Sequence, residues 1–245
     1  MTMKTYKIRP LPLANIELDM SAMTYRFNYG KKKSLPCYCW YIEGADKHIL
    51  VDTATDAIFA KEFRGIPAED IATFEDALAG LGLKPGDIEI VIQTHLQWDH
   101  CANTFKCRNA RVIVQEEELR FALAPHPILA ATYKKSLLKD LHFMVVRGRC
   151  EIIPGIELIP TPGHTPGCQS VSINTAKGKA IITGFCCVKE NFEPPEEIRE
   201  IMPVITPGIH LNAVDGFESA LFIKGLADIL IPCHDPSFLN LKTIP

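Results

Sequence analysis

No stretch of the 245 residues is apolar for long enough to span a bilayer. The first twenty, MTMKTYKIRPLPLANIELDM, hold charges and prolines where a secretory leader would need an apolar run. The chain is therefore expected to be unexported and cytoplasmic, with no membrane partner. Neither charge sign dominates: 26 Lys and Arg face 29 Asp and Glu, a formal net charge of -3. A nucleic-acid partner held by bulk electrostatics is accordingly not expected. Nine cysteines occur, an odd number with no C-x-x-C pair, which argues against a disulfide framework, a zinc knuckle or a thioredoxin-like motif. Most read as small buried hydrophobes of a reducing compartment. No Ser/Gly-rich linker, charge block or internal repeat divides the sequence, so residues 1–245 read as one domain.

What is present is a series of short β-like runs interleaved with amphipathic stretches. Strands at 39–43 and 48–52 suit a hairpin around Gly44-Ala45-Asp46. Residues 67–83 read as a helix with Leu78, Leu81 and Leu83 near one face, closed by Lys84-Pro85-Gly86-Asp87. Further strands are expected at 88–93, 110–115, 150–153, 156–160, 168–174, 179–183 and 228–232, with helices at 116–123 and 214–226. This order suits an α/β fold of two packed sheets with helices outside.

Polar clusters follow several of these strands. Thr94-His95-Leu96-Gln97-Trp98-Asp99-His100 leaves a buried run. Thr161-Pro162-Gly163-His164-Thr165-Pro166-Gly167 cannot be helical, and the last strand delivers Cys233-His234-Asp235. Histidines presented by three separate strand ends point to a metal, because a first-row divalent ion needs three or four N, O or S donors with one position open to water. The candidate ligands are His95, Asp99, His100, His164 and His234. His48, His126, His142 and His210 stand alone and read as ordinary hydrogen-bonded side chains.

The segment His95-Leu96-Gln97-Trp98-Asp99-His100 resembles the H-x-H-x-D-H marker of the metallo-β-lactamase superfamily. The resemblance extends to Ile49-Leu50-Val51-Asp52-Thr53, to the loop around His164 and to Cys233-His234-Asp235, and covers about 200 residues in order. Ala110 to Gln115 before Glu116-Glu117-Glu118, and Lys189-Glu190-Asn191-Phe192, resemble segments of the N-acyl homoserine lactonase group. The fold this implies is an α/β, metallo-β-lactamase-like αββα sandwich of two mixed sheets with helices on the outer faces. The activity it implies is metal-dependent hydrolysis of a small cyclic ester or related acyl compound by a metal-activated water. The implied cofactor is zinc, as one or two ions, with iron or manganese as alternatives. A small-molecule substrate is expected, and the resemblance allows a homodimer.

Two departures from the family pattern shape the expected site. Gln97 stands where the second motif histidine belongs, and Phe185, Cys186 and Cys187 follow Gly184 where a bridging Asp is expected. In two-metal members His95, residue 97 and His164 would hold one ion, and Asp99, His100, the bridge and His234 the other. An amide is a much poorer ligand than imidazole, so the first site is expected to be weak or empty. Asp99, His100 and His234 remain sufficient for one catalytic ion, with Asp99 also placed to orient the nucleophile. Whether Cys186 or Cys187 replaces the carboxylate as a thiolate, or simply packs, stays open. Asp52 is expected to orient a ligand imidazole. The Tyr that assists the carbonyl in the lactonase group falls at Cys187, which argues against acyl homoserine lactones as substrates. The alternatives are an iron-dependent oxidoreductase of the same fold and a non-catalytic relative with a degenerate metal site.

Overall fold

Alternation along the short strands decides the architecture. In the computed structural model, which describes residues 4–245, Ile49 and Val51 face one core while Leu50 between them faces another; Ile90 and Ile92 oppose Val91 in the same way. On the other side of the shared core, Ala180 and Ile182 point inward and Ile181 outward. A period of two with both faces apolar requires cover on both sides of each sheet.

Among the described residues, β1 (Lys7–Asp19), β2 (Lys32–Glu43), β3 (Ile49–Val51), β4 (Ala68–Asp70), β5 (Ile90–Ile92), β6 (Arg111–Gln115) and β7 (His142–Val146) form one sheet in the order β4-β1-β2-β3-β5-β6-β7. A second sheet of β8 (Cys150–Ile153), β9 (Ile156–Pro160), β10 (Gln169–Thr175), β11 (Gly178–Ile182) and β12 (Ile229–Ile231) runs β12-β11-β10-β9-β8. Both are mixed: β3, β5, β6 and β7 are parallel neighbours in the first, β11 and β12 in the second. The helices are α1 (Ala57–Arg64), α2 (Phe74–Ala79), α3 (Trp98–Cys101), α4 (Glu116–Leu123), α5 (Pro127–Ala130) and α6 (Ala213–Leu226). Ala57, Ala60, Leu78 and Ala122 pack on the outer face of the first sheet, and Ala220 and Ile223 of α6 on that of the second. The result is the metallo-β-lactamase αββα sandwich. No described helix is long and apolar enough to cross a membrane.

The helix expected over 67–83 is a correction. Ala68–Asp70 pairs with Ala14, Asn15 and Ile16 as an edge strand, and α2 begins only after the Thr73 cap, whose side chain accepts the Asp76 N–H. Gly82, at φ +75°, closes the following turn. The partner strand β1 is itself obscured in the sequence by Pro10 and Pro12. Both sit where β4 does not reach, so their missing N–H groups leave no ladder bond unmade on that side, and the register shifts just after Pro12.

Candidate metal centre

The parallel strands of both sheets end on one side of the sandwich, the position at which open α/β sheets gather ligands. From the first sheet β3 delivers Asp52, and β5 delivers Thr94 and His95 ahead of α3 with Asp99 and His100. From the second, β9 leads to His164, β11 to Cys186 and Cys187, and β12 to Cys233 and His234. The Gln169 N–H donates to the Thr94 carbonyl at 2.9 Å, which ties the two sheets together beneath the cleft.

Each ligand imidazole is fixed through its inner nitrogen. His100 Nδ1 donates to Asp52 Oδ2 at 2.7 Å; that carboxylate also accepts the Thr94 hydroxyl at 2.7 Å and the Thr94 N–H at 2.8 Å. Asp52 holds a left-handed backbone at φ +56°, uncommon for a non-glycine residue, which aims its carboxylate under the motif. The orienting role expected for Asp52 is thus present as geometry. His164 Nδ1 donates to the Ile209 carbonyl at 2.7 Å and His234 Nδ1 to the Pro36 carbonyl at 3.0 Å. In the neutral ring, committing Nδ1–H in this way leaves Nε2 as a lone pair, the tautomer a metal requires.

The outer nitrogens converge. Six buried side-chain N or O atoms among the described residues lack a hydrogen-bond partner, and four belong to the motif and its late histidine: Gln97 Nε2, Asp99 Oδ1, His100 Nε2 and His234 Nε2. Such orphans are costly unless something else satisfies them, and a cation would satisfy Asp99 Oδ1 and the two ring nitrogens but not the Gln97 amide nitrogen. His100 Nε2 and His234 Nε2 each lie 3.7 Å from Asp99 Oδ2. His95 Nε2 and His164 Nε2 face each other at 3.2 Å; two nitrogens on one tetrahedral zinc stand about 3.3 Å apart. The donor set therefore fits a divalent ion.

Electrostatics separate the two pairs of imidazoles. Burial pushes His164 down to about 4, and burial with the neighbouring imidazoles holds His95 well below its ordinary value, so both are neutral at pH 7. Burial lowers His100 too, but Asp52 and Asp99 outweigh it and leave its value raised.

All five candidate ligands approach the cleft. Phe185 and Cys187 pack into the core under α6. Cys187 Sγ lies 3.0 Å from Thr183 Oγ1, and Cys186 Sγ contacts Met23 Sδ at 3.5 Å. At Gly184 a Cβ would meet the Gln169 carbonyl oxygen at 1.9 Å, so no side chain fits there. Two other thiols group with the ligands: Cys233 with His100 and His234, and Cys37 with Asp99 and His234. The sequence reading passed over both. An alternating strand concealed Cys37, while adjacency to His234 was the available signal for Cys233. It also missed Glu118, a fully buried carboxylate that accepts from the Leu96 N–H (2.9 Å), the Tyr133 hydroxyl (2.9 Å) and the Thr165 hydroxyl (2.5 Å). Glu118 thereby clamps the loop after His95 to the loop of His164. Its only sequence mark is a place in the first turn of α4.

A stacked pair of mixed sheets whose strand ends gather imidazoles and a carboxylate around unfilled lone pairs defines a lactonase-like metallo-hydrolase. The chain belongs to the metallo-beta-lactamase superfamily, whose family model matches residues 34–184. The N-acyl homoserine lactonase AiiA of Bacillus thuringiensis subsp. kurstaki is 30% identical over 206 residues, 79% of this chain and 80% of the relative. The N-acyl homoserine lactonase AttM of Rhizobium radiobacter is 25% identical over 183 residues, 69% of this chain and 67% of the relative. The structure of an N-acyl homoserine lactone hydrolase with the product N-hexanoyl-L-homoserine at its catalytic metal center superposes with TM-score 0.77 at 27% identity, covering 96% of this chain and 95% of that one.

Proposed function

We propose that the chain opens a small cyclic ester using one divalent ion, zinc, held by Asp99, His100 and His234. The observation that carries this reading is the convergence of His100 Nε2 and His234 Nε2, both buried without a partner, on Asp99 Oδ2 at 3.7 Å, with each ring anchored through Nδ1. When bound, the ion supplies Lewis acidity toward the ester carbonyl and a nucleophile at neutral pH. Asp52 holds the His100 ring and keeps its Nδ1 proton engaged. Asp99, at 12% side-chain exposure, is the most open of the three and is placed to accept a proton from the attacking water while its other oxygen ligates. His95 and His164, neutral and 3.2 Å apart, flank the cleft and bind a second ion only weakly, since neither Gln97 nor a bridging carboxylate helps them.

The relatives named above act on acyl homoserine lactones; this chain departs from the lactonase group at Cys187, which is buried in the core and offers the carbonyl no phenol. We therefore assign a small lactone whose ring opens without that assistance. An apolar cleft of about 500 Å³, lined by Tyr25, Phe27, Met202, Val214 and Phe217, adjoins the loop whose Ile209 carbonyl orients His164 and suits an apolar substituent. The nine free cysteines support a reducing, cytoplasmic setting.

The test is hydrolysis by the zinc-loaded protein of unsubstituted and alkyl-substituted γ- and δ-lactones beside N-acyl homoserine lactones, followed by acid release. Ring opening that vanishes in His100→Ala, with simple lactones favoured, is expected. Stoichiometric zinc with no lactone turned over would sink the assignment.

A further inference from the structure

The thiol of Cys233 has a neighbourhood that packing alone does not require. Its residue directly precedes His234 but lies beyond β12, in a turn closed by the Asp235 N–H donating to the Pro232 carbonyl at 3.1 Å. In an extended strand two successive side chains would point to opposite faces; a turn with Cys233 and His234 at its centre releases them from that alternation. The turn is pinned on both sides, because the Cys233 N–H donates to Thr183 Oγ1 at 3.1 Å and the His234 N–H to the Cys187 carbonyl at 3.2 Å. Cys233 Sγ lies within 4.8 Å of a ring nitrogen of His100 and of His234, the two imidazoles whose Nε2 atoms have no partner. The side chain is buried.

Charge gives the thiol a purpose. Asp99 is the only carboxylate among the three ligands, since Asp52 stands behind the His100 ring, and no carboxylate occupies the end of β11 to serve as a second anionic donor. A thiolate supplies that second anionic donor directly to the ion and, being soft, favours zinc over iron or manganese.

We propose that Cys233 ligates the ion through Sγ, in place of the absent bridging carboxylate, completing a donor set of Asp99, His100, Cys233 and His234. This rests on the metal reading of the preceding subsection. On binding, the Sγ–H bond breaks and its proton leaves to solvent as the sulfur–metal bond forms, with no change of oxidation state. The Phe185 carbonyl, which accepts from Cys233 Sγ at 3.1 Å, gives up its donor. The more exposed Asp99 side would be left open to water.

Cobalt(II) substitution reads this directly. The loaded protein is expected to show visible d–d bands together with an intense near-ultraviolet sulfur-to-cobalt charge-transfer band. Cys233→Ser should lose the second and keep the first, while Cys37→Ser and Cys186→Ser should keep both. Zinc K-edge absorption on the unaltered zinc-loaded protein, which depends on no variant folding, should find one sulfur at about 2.3 Å. A charge-transfer band that survives in Cys233→Ser, or that disappears in Cys37→Ser or Cys186→Ser, overturns the assignment. So does a zinc shell of nitrogen and oxygen alone, although that outcome leaves Asp99, His100 and His234 standing. Failure of the unaltered protein to take up cobalt or zinc at all overturns the ion site itself and this inference with it.

Discussion

The two sides of the cleft spend the same residue type differently. On one side, His100 and His234 present outward nitrogens that nothing satisfies, next to an anionic Asp99, with a buried carboxylate behind one ring. On the other, His95 and His164 are anchored only by neutral partners and have each other at 3.2 Å. Four histidines following three strands therefore do not make two equal sites. What separates them is where the carboxylates act: Asp52 and Asp99 lie beside the rings on one side, while on the other Glu118 bonds the Leu96 N–H and the Thr165 and Tyr133 hydroxyls rather than a ring.

Deleting ligands should break the symmetry most visibly. His100→Ala or His234→Ala is expected to remove bound metal and hydrolysis together, whereas His95→Ala should retain most of the ion, both read by elemental analysis of the dialysed protein. Equal metal loss in all three would mean that the cleft works as one unit and that its two sides do not differ in ion binding.

Next in size is Glu118. The carboxylate joins the loop after His95 to the loop of His164, and removing it strands several buried donors at once, among them the Leu96 N–H and the Thr165 and Tyr133 hydroxyls. Each unsatisfied donor costs about 1–3 kcal/mol. Glu118→Ala should accordingly lower the stability of the metal-free protein by roughly 3 kcal/mol or more in urea unfolding. A loss below about 1 kcal/mol would show that water replaces the carboxylate and that the His95 side is not held by it.

Asp52→Asn tests the opposite side more finely. The amide keeps the shape but not the charge, and metal affinity should fall by about 10–100-fold, the usual cost of losing a partner behind a ligand imidazole. Competition against a chromophoric chelator measures it. An unchanged affinity would place the orienting force in the Thr53 N–H to His100 carbonyl bond instead.

Much of this arrangement is legible in the sequence because it depends on local signals. The period-two apolar runs read as strands and prove to be strands, and the motif around His95 to His100 follows one of them. What stays hidden depends on partners distant in the chain. β1 is masked by two prolines harmless only because β4 falls short of them. Residues 67–83 carry leucines at helical spacing, yet pairing with β1 claims Ala68–Asp70 ahead of them. Glu118 and Cys233 acquire meaning only when loops 22 or 47 residues away from Glu118, or the end of a different strand for Cys233, are brought beside them. His48 and His210, read as ordinary, are hydrogen-bonded to Tyr41 and to the Pro207 carbonyl.

The smallest expected effect sharpens the comparison most. Gln97 occupies the motif position at which a third imidazole would serve the His95 side, and its buried Nε2 has no partner. An amide nitrogen carries no lone pair for a metal, and the amide oxygen is a weak donor to zinc. Gln97→Ala should thus change metal affinity by less than about threefold, since what it removes is an unsatisfied polar group rather than a ligand. Gln97→His puts an imidazole beside His95 and His164 and supplies the donor, though not the carboxylate, that this side lacks. If stoichiometry then rises from one ion toward two, ligand type was limiting; if it stays at one, the missing negative charge is the barrier, and only the side that holds Asp99 can keep its ion.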